Sequence, residues 1–306
     1  MASAAELPRL GFIGLGIMGA PMVGRLLDRG YSVSVWNLEP ERAELATGAG
    51  AIWCSSPAAV REAADIVLLC VLDGKAVEAC CFGPHGVVEA GSGADLLIDC
   101  STMDPEPTRE LARRLRDRTG MAWVDAPISG GPQAAAEGKL TIIAGGEPSD
   151  FERARPVLEA LASNVTLMGP LGAGQTTKIA NQAIVGVNYV LMAEVLALCE
   201  TAGIDTTALP AALRGGMADS TILQRIYPQM AARDFDPPRA YARQLAKDLA
   251  ALGEFVDGLG LDLPVTAAAI ARYRAYVAAG NEMSDSAAIS EFQRDLPLRN
   301  SPGRIP

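Results

Sequence analysis

Short apolar runs at Leu10–Ile13, Val33–Trp36, Ile66–Val71, Leu96–Ile98, Met121–Val124 and Thr141–Ala144 alternate with longer stretches rich in alanine, leucine, arginine and glutamate. The runs have the length of strands, and the intervening stretches carry helical periodicity. Repetition of strand and helix predicts βαβ units. The expected fold class is therefore α/β, with a doubly wound, mainly parallel Rossmann sheet and right-handed crossovers over residues 1–171. After Gly172-Ala-Gly174 the strand signals stop. Up to Arg294 the pattern is of helices separated by turns at Gly203, Gly215-Gly216, Pro237-Pro238, Gly260 and Gly280, which predicts an all-α second domain over 172–294, entered through a long interdomain helix. Residues 295–306, with Pro297, Pro302, Gly303 and Pro306, have no periodicity and read as a flexible tail.

Composition narrows the function more than the fold. Of 306 residues, 49% are apolar and only 5% aromatic, as expected of a packed soluble α/β protein. Net charge is −10, which argues against nucleic acid and anionic membranes and leaves a small molecule as the expected partner. The six cysteines include no C-x-x-C pair, so neither a metal site nor a disulfide framework is expected. Reduced thiols and an N-terminus without a signal-peptide pattern point to the cytoplasm. The segment from Ile179 to Leu198 has about the length of a bilayer span. Asn181, Gln182, Asn188 and Glu194 fall inside it, however, so it reads as a buried helix.

Gly14-Leu15-Gly16-Ile17-Met18-Gly19 follows the first apolar run and opens a helical pattern through Leu26 and Leu27. In that context the glycines read as a dinucleotide fingerprint: Gly14 for the tight turn, Gly16 for approach of the pyrophosphate, Gly19 for packing of helix on strand. The alternative is a glycine-rich turn without a ligand. Asn37, at the end of the second run, stands where the residue that reads the ribose is expected. Neither Asn37 nor Leu38 offers a charge to a 2′-phosphate, and Glu39 would repel one, although Arg42 lies close behind. NAD(H) is therefore favoured over NADP(H). Asn37 and Glu39 also suit capping of the next helix ahead of Pro40.

Ser129-Gly130-Gly131, in a polar loop after the Met121–Val124 run, supplies backbone amides and a hydroxyl suited to a substrate carboxylate, although an ordinary β-turn reads equally well. A hydrolase role for Ser129 lacks both a G-x-S-x-G context and a histidine nearby. The sole histidine, His85, sits in the turn-like stretch Phe82-Gly-Pro-His-Gly86. An acid/base must come from elsewhere, and Lys178 is the candidate. With Asn181 and Gln182 it has the i, i+3, i+4 spacing of one helix face, so the three can converge on one substrate, with Asn181 and Gln182 as substrate-binding residues. Burial and a place in the first turns of a helix would both lower its pKa toward neutrality. A solvated surface lysine is the plainer alternative.

Taken together these segments resemble the β-hydroxyacid dehydrogenase family. The resemblance rests on Gly11-Phe-Ile-Gly-Leu-Gly-Ile-Met-Gly-Ala-Pro-Met22, Asp99-Cys-Ser-Thr102, Asp125-Ala-Pro-Ile-Ser-Gly-Gly131, Gly172-Ala-Gly174 with Lys178-Ile-Ala-Asn181-Gln182, and Lys247-Asp248-Leu249. Lys178 to Gln182 and Arg214 to Thr221 look most like the tartronate semialdehyde reductase branch. The chain departs from the family pattern at Asn37-Leu38, Leu72-Asp73 and Pro237–Arg243. The resemblance implies an NAD(P)-dependent oxidoreductase that interconverts a small 3-hydroxy acid with its semialdehyde or ketone. Lys178 would be the acid/base, Ser129, Gly130 and Gly131 would hold the carboxylate, Asn181 would position the substrate oxygen, and Thr102 and Lys247 would face the cofactor. An imine reductase-like enzyme and a catalytically silent dinucleotide-binding module are the alternatives. Small residues at Ala180, Ala183, Gly186 and Ala193 along the apolar helix suggest a homodimer or homotetramer.

Overall fold

A computed structural model of the chain describes residues 7–294, and the tail expected at 295–306 lies outside them. The described residues form two compact units divided between Lys178 and Ile179.

The first unit holds one sheet built from β1 (Leu10–Ile13), β2 (Val33–Trp36), β3 (Ile52–Trp53), β4 (Ile66–Leu69), β5 (Leu96–Asp99), β6 (Ala122–Asp125), β7 (Ile128–Ser129), β8 (Leu140–Gly145) and β9 (Ala162–Gly169). Between them run α1 (Gly19–Asp28), α2 (Glu44–Gly48), α3 (Pro57–Ala63), α4 (Gly74–Phe82), α5 (Pro105–Thr119), α6 (Gly131–Glu137) and α7 (Pro148–Leu161). The spatial order is β3-β2-β1-β4-β5-β6-β8-β7, with β9 on β8. From β3 to β6 every pairing is parallel. The winding reverses between β1 and β4, and the carboxyl ends of strands at such a point are where open α/β sheets bind ligands.

Burial on both faces explains why the strands are unbroken apolar runs instead of alternating ones. Leu10, Phe12, Leu68 and Ile98 point into one core with Met22 and Leu26 of α1. Their neighbours Ile13, Val67, Leu69 and Leu97 point into another with Val77 of α4 and Leu115 of α5. Three strands escape sequence reading. β3 and β7 are two residues long, and β9 interleaves polar and apolar residues at the surface. β8 runs antiparallel to β6 and β7 and parallel to β9, a reversal that hydrophobic periodicity does not encode.

The second unit is helical, as expected. It contains most of α8 (Ala173–Thr201), then α9 (Leu209–Leu213), α10 (Thr221–Ala232), α11 (Ala242–Gly258), α12 (Pro264–Tyr276) and α13 (Ile289–Arg294). Gly203, Gly215, Gly260 and Gly280 all adopt positive φ at the breaks between helices. Leu196, Tyr227, Met230, Leu249, Tyr273 and Tyr276 form the core. α8 is long and apolar enough to cross a membrane. Within this unit it instead packs Val190, Ala193 and Leu196 into the core, and Gly186 lies so close to α11 that a Cβ there would be 2.4 Å from Leu249 Cδ2. Gly186→Val puts a stiff, branched side chain against that leucine. It is expected to destabilise the second unit by about 1–3 kcal/mol, seen as a lower urea midpoint by circular dichroism.

Candidate functional site

The fingerprint turn joins β1 to α1 and is held by close backbone packing. Gly14 has φ +103°, and a Cβ on it would sit 2.3 Å from the Cys70 carbonyl oxygen at the end of β4. A Cβ on Gly19 would lie 1.9 Å from the Gly14 carbonyl oxygen. At Gly16, by contrast, nothing lies within 4 Å of where a Cβ would be. Two glycines are therefore required by the protein's own packing and the third faces open space, an arrangement that fits a pyrophosphate over the start of α1. Leu15 is buried, Met18 half-buried and Ile17 exposed.

Asn37 is buried at the end of β2, and its side chain binds the protein itself. Its Oδ1 accepts from the Leu15 amide at 2.7 Å, tying the fingerprint turn to β2. Its Nδ2 donates to the Glu39 carbonyl at 3.0 Å and to Glu39 Oε2 at 2.9 Å. That carboxylate is 3.6 Å from Arg42 Nε. Leu38 is 77% exposed, so its side chain is available to whatever approaches the end of β2.

Thr102 lies half-buried in the turn after β5. That turn is fixed from both sides: the Ser101 amide donates to Asp99 Oδ1 at 2.9 Å, and the Val71 amide donates to Ser101 Oγ at 3.0 Å. Asp99 is fully buried, and its Oδ2 has no partner among the described residues. Burial pushes its pKa up to about 7, opposed by the Ser101 bonds and reinforced by the neighbouring Asp125 charge. Burial likewise pushes the thiols of Cys70 and Cys80 up, to about 12 and about 11. All six cysteines are free.

Ser129 is in β7, paired with Thr141 of β8, so the expected polar loop contains a short strand. Gly130 and Gly131, at φ +133° and +80°, then turn the chain into α6. β6 ends at Asp125, whose fully buried carboxylate accepts from the backbone amides of Gly172 at 2.7 Å and Gln175 at 2.9 Å. Burial raises the pKa of Asp125, and these amides oppose the rise by stabilising the charged form. One turn further along α8, Lys178 is buried at 7% exposure.

Asn181 and Gln182 follow on the same helix. Asn181 Nδ2 donates to Gln182 Oε1 at 2.8 Å, and Gln182 Nε2 donates to Asp248 Oδ2 at 2.6 Å. Lys247 Nζ is 3.6 Å from Asp248 Oδ1. One carboxylate thus ties together Gln182 and Lys247, which sequence reasoning had treated separately. Asp125, Gln175 and Asp248 were given no role from sequence, because their partners are 47 to 74 residues away and no spacing reveals them. His85, at φ +58°, has a mostly exposed side chain. Among the described residues no cluster of three or more His, Cys, Asp or Glu is placed to hold a metal ion.

Residues 9–169 match the family described as the NAD binding domain of 6-phosphogluconate dehydrogenase. Residues 172–292 match that described as NAD-binding of NADP-dependent 3-hydroxyisobutyrate dehydrogenase. Escherichia coli 2-hydroxy-3-oxopropionate reductase is 37% identical over 92% of this chain and 95% of its own length. The chain belongs to the β-hydroxyacid dehydrogenase family. As a β-hydroxyacid dehydrogenase it is an NAD(P)-dependent oxidoreductase of small hydroxy acids. A Mycobacterium tuberculosis 3-hydroxyisobutyrate dehydrogenase solved with L-serine matches at TM-score 0.85 and 29% identity, covering 94% of this chain and all of that one. An imine reductase from a Pseudomonas species shares the fold at TM-score 0.61 and 22% identity, covering 94% and 99%.

The pKa of Asp99 sets a stability–pH relation. Its folded value of about 7 lies above the ordinary 3.8, so folded protein keeps a proton that unfolded protein releases. This contribution to stability is fully present below about pH 4 and is lost as pH rises to about 7. Asp99→Asn is expected to flatten that decline in urea unfolding midpoints measured across the range. A decline as steep as in the wild type would mean that Asp99 is not its source.

Proposed function

We propose that Lys178 is the general acid/base of this dehydrogenase, acting on a three-carbon hydroxy acid of the glycerate and 2-hydroxy-3-oxopropionate type. The observation that carries the proposal is a buried lysine one turn into a helix whose start is pinned to the end of a Rossmann strand. The nicotinamide supplies the hydride. Lys178 Nζ gives a proton to the carbonyl oxygen in reduction and takes the hydroxyl proton in oxidation. The Ser129 hydroxyl and the amides of Gly130 and Gly131 hold the carboxylate, where glycine lets the backbone come close. Asn181 orients the reacting oxygen, and Gln182 fixes Asn181 by accepting from its amide. Thr102 and Lys247 line the nicotinamide side, and residues 14 to 19 with Asn37 and Leu38 bind the rest of the nucleotide.

In functional terms residues 1–171 bind nucleotide, and 172–294 carry substrate residues and the oligomer contact. We place the protein in the cytoplasm as a homodimer or homotetramer. Ile184, Leu191 and Leu198 recur every seven residues on α8 and are each at least 43% exposed, an apolar stripe that a second copy would cover. Light scattering is expected to show a dimer or larger. A fully active monomer at micromolar concentration contradicts this.

Nicotinamide absorbance, followed in both directions with glycerate, 3-hydroxyisobutyrate, serine, threonate and 3-hydroxypropionate, tests the reaction. Turnover of at least one is expected, and Lys178→Ala should lower kcat by roughly a hundredfold or more while leaving cofactor binding intact. Turnover of cyclic imines alone would favour an imine reductase. Nucleotide binding with no turnover in the wild type would favour a silent module.

Cofactor choice follows from the end of β2. Leu38 supplies no cation, and Arg42 is engaged by Glu39, so a 2′-phosphate would lack a charge-assisted partner while meeting a carboxylate. The expected outcome is a higher kcat/KM with NAD(H) than with NADP(H), shifted toward NADP(H) by Leu38→Arg. A wild-type preference for NADPH would show that Arg42 leaves Glu39 for the phosphate.

A further inference from the structure

Gln175 is fully buried, and both ends of its side-chain amide are bonded to main chain of the turn after β5. Its Nε2 donates to the Ser101 carbonyl at 2.8 Å, and its Oε1 accepts from the Met103 amide at 3.2 Å. The residue between those two bonds is Thr102. Gln175's own backbone amide donates to Asp125 Oδ2 at 2.9 Å, at the end of the strand that leads to Ser129, Gly130 and Gly131. Three residues later on the same helix comes Lys178. If Gln175 only filled space, an apolar residue of similar size would serve and would avoid burying an amide. Instead both of its polar ends are satisfied by backbone groups on either side of one residue, which fixes the path of that backbone.

We infer that Gln175 is a positioning residue: its amide locks the turn of α8 carrying Lys178 to the Thr102 turn, while Asp125 locks the same turn of helix to the strand leading to Ser129. Being fully buried, Gln175 touches no reacting atom and acts through the residues it holds. The inference rests on the acid/base reading of Lys178.

Gln175→Met and Gln175→Glu separate this role from mere packing. Methionine keeps the volume and removes both bonds. Small misplacements of catalytic groups are costly, so kcat is expected to fall by roughly a hundredfold with a smaller change in KM for the hydroxy acid. NADH, titrated by its own fluorescence, is expected to bind several-fold more weakly, since Thr102 is released as well. Protonated glutamic acid, by contrast, reproduces the amide pattern, with its hydroxyl donating to the Ser101 carbonyl and its carbonyl oxygen accepting from Met103. Ionised glutamate cannot donate. The kcat of Gln175→Glu relative to wild type should therefore rise as pH falls, a titration absent from Gln175→Met. Wild-type kcat and NADH affinity in Gln175→Met, at a temperature where circular dichroism shows it folded, would overturn the inference. If the methionine variant fails to fold, a pH-independent ratio for Gln175→Glu would overturn it instead. Wild-type kcat in Lys178→Ala, measured alongside, would mark failure of the acid/base reading itself.

Discussion

The carboxylate of Asp125 accepting the amides of Gly172, immediately before α8, and of Gln175 in its first turn is the contact on which the arrangement of the first unit's chemistry depends. A buried carboxylate without partners would be heavily penalised, and a helix start without acceptors would leave amides orphaned; each removes the other's penalty. The charge also lies at the positive end of the helix dipole, where an anion is stabilised. Space for this contact comes from missing side chains. A Cβ on Gly174 would fall 2.5 Å from the Ile143 carbonyl oxygen and 2.7 Å from Asp125 Oδ2, and one on Gly145 would fall 2.6 Å from Asp125 Oδ1. The Gly172-Ala-Gly174 motif is thus explained by close packing of a helix onto strand ends.

The same helix is secured by different means further along. Within the second unit Gln182 binds Asp248, and Gly186 meets Leu249 one residue beyond it on α11. A polar and an apolar contact at adjacent α11 positions give this stretch of α8 a defined rotation, because a helix that turns to relieve one loses the other. That rotation decides which way Asn181 and the exposed stripe of Ile184, Leu191 and Leu198 face.

The sheet and the helical half were legible because their signals are local. Two-sided burial makes continuous apolar strands, and glycines at positive φ mark the helix breaks. The glycines of the fingerprint were legible for the same reason. Sequence could not show the direction of β8, since a strand's apolar pattern is the same read either way, nor β9, whose residues alternate at an exposed edge. From sequence Asn37 is a candidate for the ribose; in the fold its amide joins Leu15, 22 residues earlier in the chain, to Glu39. Asp125 and Asp248 lie inside recognisable motifs, yet their partners are on other elements. For such groups, residue type signals polarity and only the fold shows what satisfies it.

Asp99 and Asp125 show how far the same residue type is defined by its surroundings. They sit in register at the ends of neighbouring parallel strands, both fully buried. Asp125 is given the amides of Gly172 and Gln175 by α8, whereas Asp99 receives one amide from Ser101 and keeps an unpartnered Oδ2. Two carboxylates this close do not both ionise easily, since each charge raises the other's pKa. The helix start therefore decides the outcome: Asp125, with more donors, takes the charge, and Asp99 keeps its proton up to about pH 7. Between the pKa values of the two groups a single negative charge at the strand ends faces the positive end of α8. In that range the Ser101–Thr102 turn is held by neutral hydrogen bonds, and no second anion lies buried beside the first turns of the helix that carries Lys178.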